Sequence, residues 1–262
     1  NKVCCRNGFD LGDGKSEEEK KSDRSSAVQQ HRDGQVELFF STYGISSDFL
    51  AQFAVVFAAL VHDVDHTGVP NVQLVRERPS LWSRYNGTSV AENNSIDVAW
   101  STLMEPEFAN LRASIFANDD EQLRFRQLLI NVVIATDIAD RERRIGERKR
   151  WDRAFSKISS WQDEWSEQTD DSLAGIDVSL KATVVLEQIV LASDIAHTMQ
   201  HWLTYVKWNE RLYKELWSAY DSGRLQKDPT LNWYEGEIGF FDGYIIPLAS
   251  KLKECGVFGT AG

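Results

Sequence analysis

The chain has 262 residues, 42% of them apolar, and its nine Trp and thirteen Phe can fill the core of one large domain or two small ones. Its 29 basic and 40 acidic side chains leave a formal net charge of −11, which excludes a general nucleic-acid binder. An anionic nucleotide is not excluded, because bound divalent cations reverse the local field.

Residues 1–36 are expected to form a polar, disordered or loosely packed segment, since Asp13–Ser22 is all charge, Gly and Ser and offers nothing to a core. Cys4 and Cys5 are adjacent and Cys255 lies far away. That pattern gives neither a disulfide framework nor a C-x-x-C zinc pair, so free thiols in a reducing, cytoplasmic setting are expected. From Gln35 the pattern turns helical, and 37–262 reads as one domain. Apolar periodicity predicts helices over 47–65, 89–104, 120–137, 141–166, 177–199, 200–221 and 236–254. Ser47-Asp48 is a start signal for the first, and Gly223 a stop for the sixth. The longest apolar run, Phe53–Val61, falls far short of the ~20 residues of a membrane span, and no leader is visible. Asn86-Gly87 lies between helices. In Arg141–Arg153, Glu142, Glu147 and Asp152 interleave with the basic residues, which favours solvated faces and pairings over a nucleic-acid patch. Trp202, Tyr205, Val206, Tyr213, Leu216, Trp217 and Tyr220 recur at three- and four-residue spacing, an expected core stripe. Alternating strand patterns are scarce. The expected fold class is all-α.

The densest chemistry lies in Val61–Asn71. His62, Asp63, Asp65 and His66 fall within five residues, directly after the apolar stretch Phe53–Leu60. On a helix His62 and His66 would share a face, with Asp63 three residues before His66. Imidazole nitrogen with carboxylate oxygen suits zinc, manganese or magnesium, and adjacent His-Asp leaves positions open for water and substrate. A merely solvated helix end is the plainer reading. Charges so dense after a buried run argue against it.

The run H-D-V-D-H-x-G-x-x-N resembles the metal-binding signature of class I 3′,5′-cyclic-nucleotide phosphodiesterases, a branch of the HD hydrolases. Further matches follow in order: Tyr85-Asn86, Val90–Asn94, Ala135-Thr136-Asp137, Ala192-Ser193-Asp194, Gly239–Asp242 and Pro247-Leu248. The resemblance runs from about Thr42 to Phe258, and Ser193–Trp202 and Trp208–Arg211 are similar to forms from microbial eukaryotes. It implies a compact multi-helix domain that hydrolyses cAMP or cGMP to the 5′-monophosphate with two divalent ions. Zinc is expected at the tighter site, with magnesium or manganese at the second. By the match, His62, Asp63 and Asp194 are metal ligands, and Asp63 bridges to the second ion. His66 and Glu92 are the catalytic candidates. Asp137 and Asn94 support them by hydrogen bonds. Glu237 and Phe240 take the purine, Phe240 by stacking. A longer parent with regulatory or cyclase domains is expected.

Three departures accompany the resemblance. The family's upstream H-N-x-x-H element, whose first His protonates the leaving oxygen and whose second completes the metal site, has no counterpart among His31, His62, His66, His197 and His201. The chain is therefore expected to begin downstream of it. Glu237 stands where the family usually has Gln; an ionised carboxylate only accepts, whereas an amide both donates and accepts. Asn94 stands where many relatives carry His. His197 and His201, four apart, suggest a second metal site on one helix face, but structural or pocket-lining histidines are the favoured reading. Two alternative functions remain from the sequence: a degenerate domain that binds nucleotide or a partner without turnover, and another HD-type phosphohydrolase.

Overall fold

The computed structural model describes residue 29 and residues 32–155 and 171–259, with the backbone alone described for 171–177. Cys4, Cys5 and His31 lie outside the described residues, as do 1–28 and 30 of the expected loose segment, 156–166 of the expected fourth helix and most of the acidic stretch after it. Residues 32–41 are helical and exposed. The fold is all-α, with no strand among the described residues. From residue 49 the helices are α1 (Phe49–Val61), α2 (Asn71–Glu77), α3 (Pro79–Tyr85), α4 (Val90–Leu103), α5 (Ala109–Ile115), α6 (Asp119–Ala135), α7 (Arg141–Phe155), α8 (Asp171–Asp194), α9 (Trp202–Asp221), α10 (Trp233–Phe240) and α11 (Ile246–Glu254). Among the described residues no helix is long and apolar enough to cross a membrane.

The core is set by α1. Asp48 caps it by accepting from the Ala51 N–H at 3.0 Å, and the same carboxylate takes Nη1 of Arg124 in α6 at 3.1 Å. Ala51, Ala54 and Ala58 are buried at three- and four-residue spacing. Small side chains on that ridge let α6 approach closely and insert Phe125, Leu129, Val132 and Val133. Ile96 and Ala99 of α4 and Leu186 and Val190 of α8 close the cluster. Each buried Val, Leu, Ile or Phe contributes about 1.5–3 kcal/mol relative to leaving it in water.

Two flanking layers position the chemistry. Under the motif, Leu74 of α2 and Leu81 of α3 pack with Val69, Val90, Ala91 and Ala219 of α9. At the other end, Ile245 and Leu248 seat the C-terminal helices on Leu191 and Ile195. A π-helical segment, Phe241–Ile245, joins α10 to α11 and interrupts the helix expected over 236–254.

Several expected boundaries shift. The first helix ends at Val61 rather than 65, so His62 and His66 do not share a helix face. The helix expected over 177–199 ends at Asp194 and is followed by a 3-10 turn, Ala196–Met199. The predicted core stripe of α9 is half-buried at best. Tyr205, Val206, Tyr213, Leu216 and Tyr220 are intermediate, Trp202 and Trp217 are exposed, and only Ala219 is buried. Periodicity finds a helix's apolar face, but burial depends on what is packed against it. The basic run of α7 is mostly exposed, as expected. Arg150 nevertheless turns inward to the buried Glu187 at 2.7 Å, and Glu147 accepts from both Gln188 and Lys251 at 2.7 Å. Cys255 is buried with a free thiol.

Candidate active site

His62 caps the C-terminus of α1, and the chain then leaves the helix through a turn closed by Val64 N–H to Val61 O (3.1 Å) and His66 N–H to Asp63 O (3.0 Å). Asp65 completes the turn in a left-handed conformation, φ 62°, which costs a non-glycine residue on the order of 1 kcal/mol. Its carboxylate is held there by Arg78 Nη1 at 2.6 Å and Asn94 Nδ2 at 3.0 Å. Those two donors keep the Asp65 carboxyl below the usual carboxylate range.

His62 Nδ1 lies 2.9 Å from the Ala59 carbonyl, which can only accept, so that nitrogen carries the proton and Nε2 faces outward. Nε2 meets Asp194 Oδ1, from the last residue of α8, at 3.2 Å and Asp63 Oδ2 at 3.6 Å. The Asp194 hydrogen bond pushes the imidazole up to about 9, burial opposes this, and the Ala59 carbonyl reinforces it. Two ligand atoms each about 2.1 Å from a shared cation lie roughly 3.2 Å apart at ~100° and roughly 3.6 Å apart at ~120°. Each distance taken singly is one that a shared divalent ion would allow, and the mixed N/O chemistry suits such an ion. As they stand among the described residues, no three or more His, Cys, Asp or Glu side chains form a group that could hold a metal ion. The Asp63 and Asp194 side chains are 63% and 40% exposed.

The supporting residues sit one layer behind. Asn71, at the end of the motif, donates to Glu92 Oε2 at 3.1 Å and accepts from the Ala91 N–H at 2.8 Å, pinning α2 to the first turn of α4. Burial raises the Glu92 pKa, and the carboxylate of the buried Asp137 adds to it while His66 opposes. Asp137 Oδ1 accepts from the Asp140 N–H at 3.3 Å. His66 is exposed, and its Nδ1 accepts from the Gly68 N–H at 3.3 Å. Asn94 is buried but serves Asp65.

The expected purine residues lie across α9 and α10. Glu237 Oε2 accepts from Tyr205 OH at 2.5 Å and from Asn209 Nδ2 at 2.7 Å, while Trp233 Nε1 donates to Asn209 Oδ1 at 3.2 Å. Burial, then the Glu237 carboxylate, pushes the Tyr205 hydroxyl up to about 12, so it stays a donor near neutrality. Phe240 stacks on Tyr244, with centroids 5.3 Å apart and planes at 24°. Burial pushes the Tyr244 hydroxyl upward, and the Asp194 and Glu147 carboxylates add to it; Phe240 and Tyr244 pack on the Leu191–Ile195 cluster. The reading of Tyr205 as part of a core stripe missed this cluster with Asn209 and Glu237. The spacing of four between Tyr205 and Asn209 on one helix face was the available signal. His197 and His201 fall on separate elements: His197 rings against Trp208, and His201 caps α9 by accepting from the Leu203 N–H at 3.2 Å.

The probable 3′,5′-cyclic-AMP phosphodiesterase pde-4 of Caenorhabditis elegans is 26% identical over 210 residues, 76% of this chain. The dual specificity calcium/calmodulin-dependent 3′,5′-cyclic nucleotide phosphodiesterase 1B of Bos taurus is 26% identical over 212 residues, 77% of this chain, and its Homo sapiens counterpart matches to the same extent. The matches cover 29% of the nematode protein and 34% of the mammalian ones, so the chain spans about a third of the length of these relatives. Residues 41–256, from just before α1 to just beyond α11, match the description 3′5′-cyclic nucleotide phosphodiesterase along their whole course, and the chain belongs to that family.

Proposed function

We propose that this chain is the catalytic domain of an enzyme that hydrolyses cAMP or cGMP to the 5′-monophosphate. The observation that carries the reading is the meeting of His62 and Asp194 at 3.2 Å across 132 residues of sequence, with Asp63 beside them. The family is generally metal-dependent. His62, Asp63 and Asp194 would hold the tighter ion, zinc, and Asp63 would be shared with a second, magnesium or manganese. Two such ions supply positive charge against phosphoryl oxygens and a water acidic enough to attack at neutral pH.

The chain's own residues do the rest. Nδ1 of His66 is occupied as an acceptor, so His66 offers Nε2–H to a phosphoryl oxygen. Glu92, pushed upward by burial, is suited to taking a proton from an attacking water. Asn71 fixes its orientation. Phe240 stacks on the base, and Glu237 reads the base edge. The parent is read as longer, with regulatory or cyclase domains, and as cytoplasmic. The length of the relatives supports the first point.

The 262 residues contain no H-N-x-x-H run, so the leaving ribose oxygen needs a proton donor from elsewhere. The test is turnover of cAMP and cGMP with added manganese or magnesium, comparing this chain with one joined to the polypeptide encoded upstream of Asn1. The joined chain is expected to be active, the present one slower by ~10²–10⁴-fold for want of a positioned acid, and Asp194→Asn inactive in both. Nucleotide binding without turnover in the joined chain would instead support the non-catalytic reading, which the absent element favours. Full activity of the short chain would assign the leaving-group proton to His66 or solvent.

A further inference from the structure

Two arginines outside the motif fasten the turn that carries His66. Arg78, between α2 and α3, takes Asp65. Arg224, three residues past the end of α9, reaches the other side. Its Nη1 donates to the Thr67 carbonyl at 3.1 Å, while Nε and Nη2 take the two oxygens of Glu77 at 2.7 and 2.6 Å. Only a planar, five-donor guanidinium makes these three bonds at once; an ammonium on a flexible stem does not.

The root of this arm is fixed by the fold. Gly223 (φ +75°) turns the chain out of α9, and the N–H groups of Arg224 and Leu225 return to the Ala219 carbonyl at 2.8 and 3.0 Å. Ala219 and Leu225 pack in the Val69–Leu74–Leu81 cluster under the motif. Gly68 (φ +70°) lies under Glu215 of α9, whose Oε1 would stand 3.3 Å from an added Cβ.

The Thr67 carbonyl and the Gly68 N–H are the two ends of one rigid peptide plane. Arg224 holds the oxygen end, and the nitrogen end donates to His66 Nδ1 at 3.3 Å. We propose that Arg224 is a positioning residue for His66: by fixing the Thr67–Gly68 peptide plane it keeps Nδ1 as the acceptor and Nε2 as the nitrogen presented to substrate. The proposal rests on the hydrolase reading above, because it gives His66 a substrate to face.

The experiment compares the chain with Arg224→Gln, Arg224→Lys and Glu77→Gln, reading the His66 imidazole nitrogen signals by NMR, amide exchange at Gly68, and turnover of both cyclic nucleotides by the joined chain. Arg224→Gln is expected to move the His66 signals toward a mixture of the two tautomers and to speed Gly68 exchange roughly tenfold or more. It should lower kcat about 10–100-fold with KM little changed, the size seen when a supporting partner is removed. Arg224→Lys is expected to recover only part of each effect, and Glu77→Gln, at an exposed carboxylate that should leave folding intact, to give a milder version. Unchanged His66 signals and Gly68 exchange in Arg224→Gln overturn the proposal whatever the activity does. Moved signals with unchanged kcat also overturn it, because His66 would then be reoriented without consequence. A joined wild-type chain that turns over neither nucleotide sinks the hydrolase reading instead, and the imidazole and exchange signals still decide whether Arg224 fixes the peptide plane.

Discussion

At the scale of single residues, the carboxylate at position 237 is the change with the widest chemical consequence. Tyr205 and Asn209 both donate to Oε2, and Trp233 fixes the Asn209 amide so that its NH2 must be the donating end. Oε1 is thereby left as an acceptor for a base edge. Guanine offers adjacent ring N–H and amino donors there, whereas adenine places a lone pair at its ring nitrogen, so cGMP should be at least as good a substrate as cAMP. In Glu237→Gln the amide oxygen would turn to the Tyr205 and Asn209 donors and the NH2 would face the base. The expected outcome is a relative gain for cAMP of ~1–3 kcal/mol in kcat/KM, the scale of relieving one unpaired buried group. An unchanged cAMP-to-cGMP ratio would show that Phe240 stacking and pocket shape do the selecting. The metal-ligand candidates His62 and Asp63 were legible in the motif, and Asp194 through the resemblance. The residues that orient Glu237 were not, because a half-buried Tyr on a periodic stripe has the same spacing signature as a core Tyr.

Helices were legible wherever they were long and had a start signal, and α1 shows why. The Ser47-Asp48 signal works as expected, with Asp48 receiving both the Ala51 N–H and the Arg124 guanidinium. Burial opposes the shift in Asp48, but Arg124 and the Ala51 N–H outweigh it and hold the carboxyl below its ordinary 3.8. A depressed carboxylate contributes stability that is complete above the unfolded value and disappears as the pH falls through the lower folded value. Asp48→Ala should therefore cost about 1–2 kcal/mol near pH 7, from a lost cap and a partly exposed ion pair. In urea titrations the part of that difference that titrates should be lost as the pH falls through the depressed folded value of Asp48. A constant difference across this range would mean that the cap and the ion pair contribute nothing that titrates. The missed elements have physical explanations of the same kind. The seven-residue helices α2, α3 and α5 are too short for periodicity to register. The left-handed Asp65 is held by tertiary partners, Arg78 and Asn94, and the π segment at Phe241–Ile245 packs through Ile245 against Leu191 and Ile195, contacts that local sequence does not announce.

On the scale of the whole molecule, the candidate metal site joins the two ends of the core. His62 closes α1 and Asp194 closes α8, helices that share the Ala58–Val61–Leu186–Val190 cluster. Packing of that cluster delivers two residues 132 apart to within 3.2 Å. The resemblance named both residues as ligands of one ion and so implied their meeting; the contact between α1 and α8 that brings them together had no signal in the sequence. A cation bound by both would bind the folded chain and not the unfolded one, and would raise stability by RT ln(1 + [L]/Kd), about 2.7 kcal/mol at a hundredfold excess over Kd. For a domain of this size that is on the order of 5–10 °C in Tm. Zinc or manganese titrated into the chelator-treated chain should therefore raise its Tm in a concentration-dependent way, and Asp194→Asn or His62→Ala should remove the response. The readout does not depend on the leaving-group acid, so it tests the site in this chain even where turnover is slow. A Tm indifferent to divalent ions would show that His62 and Asp194 are joined by their own hydrogen bond alone. An ion-induced rise that survives both substitutions would place the cation elsewhere in the fold.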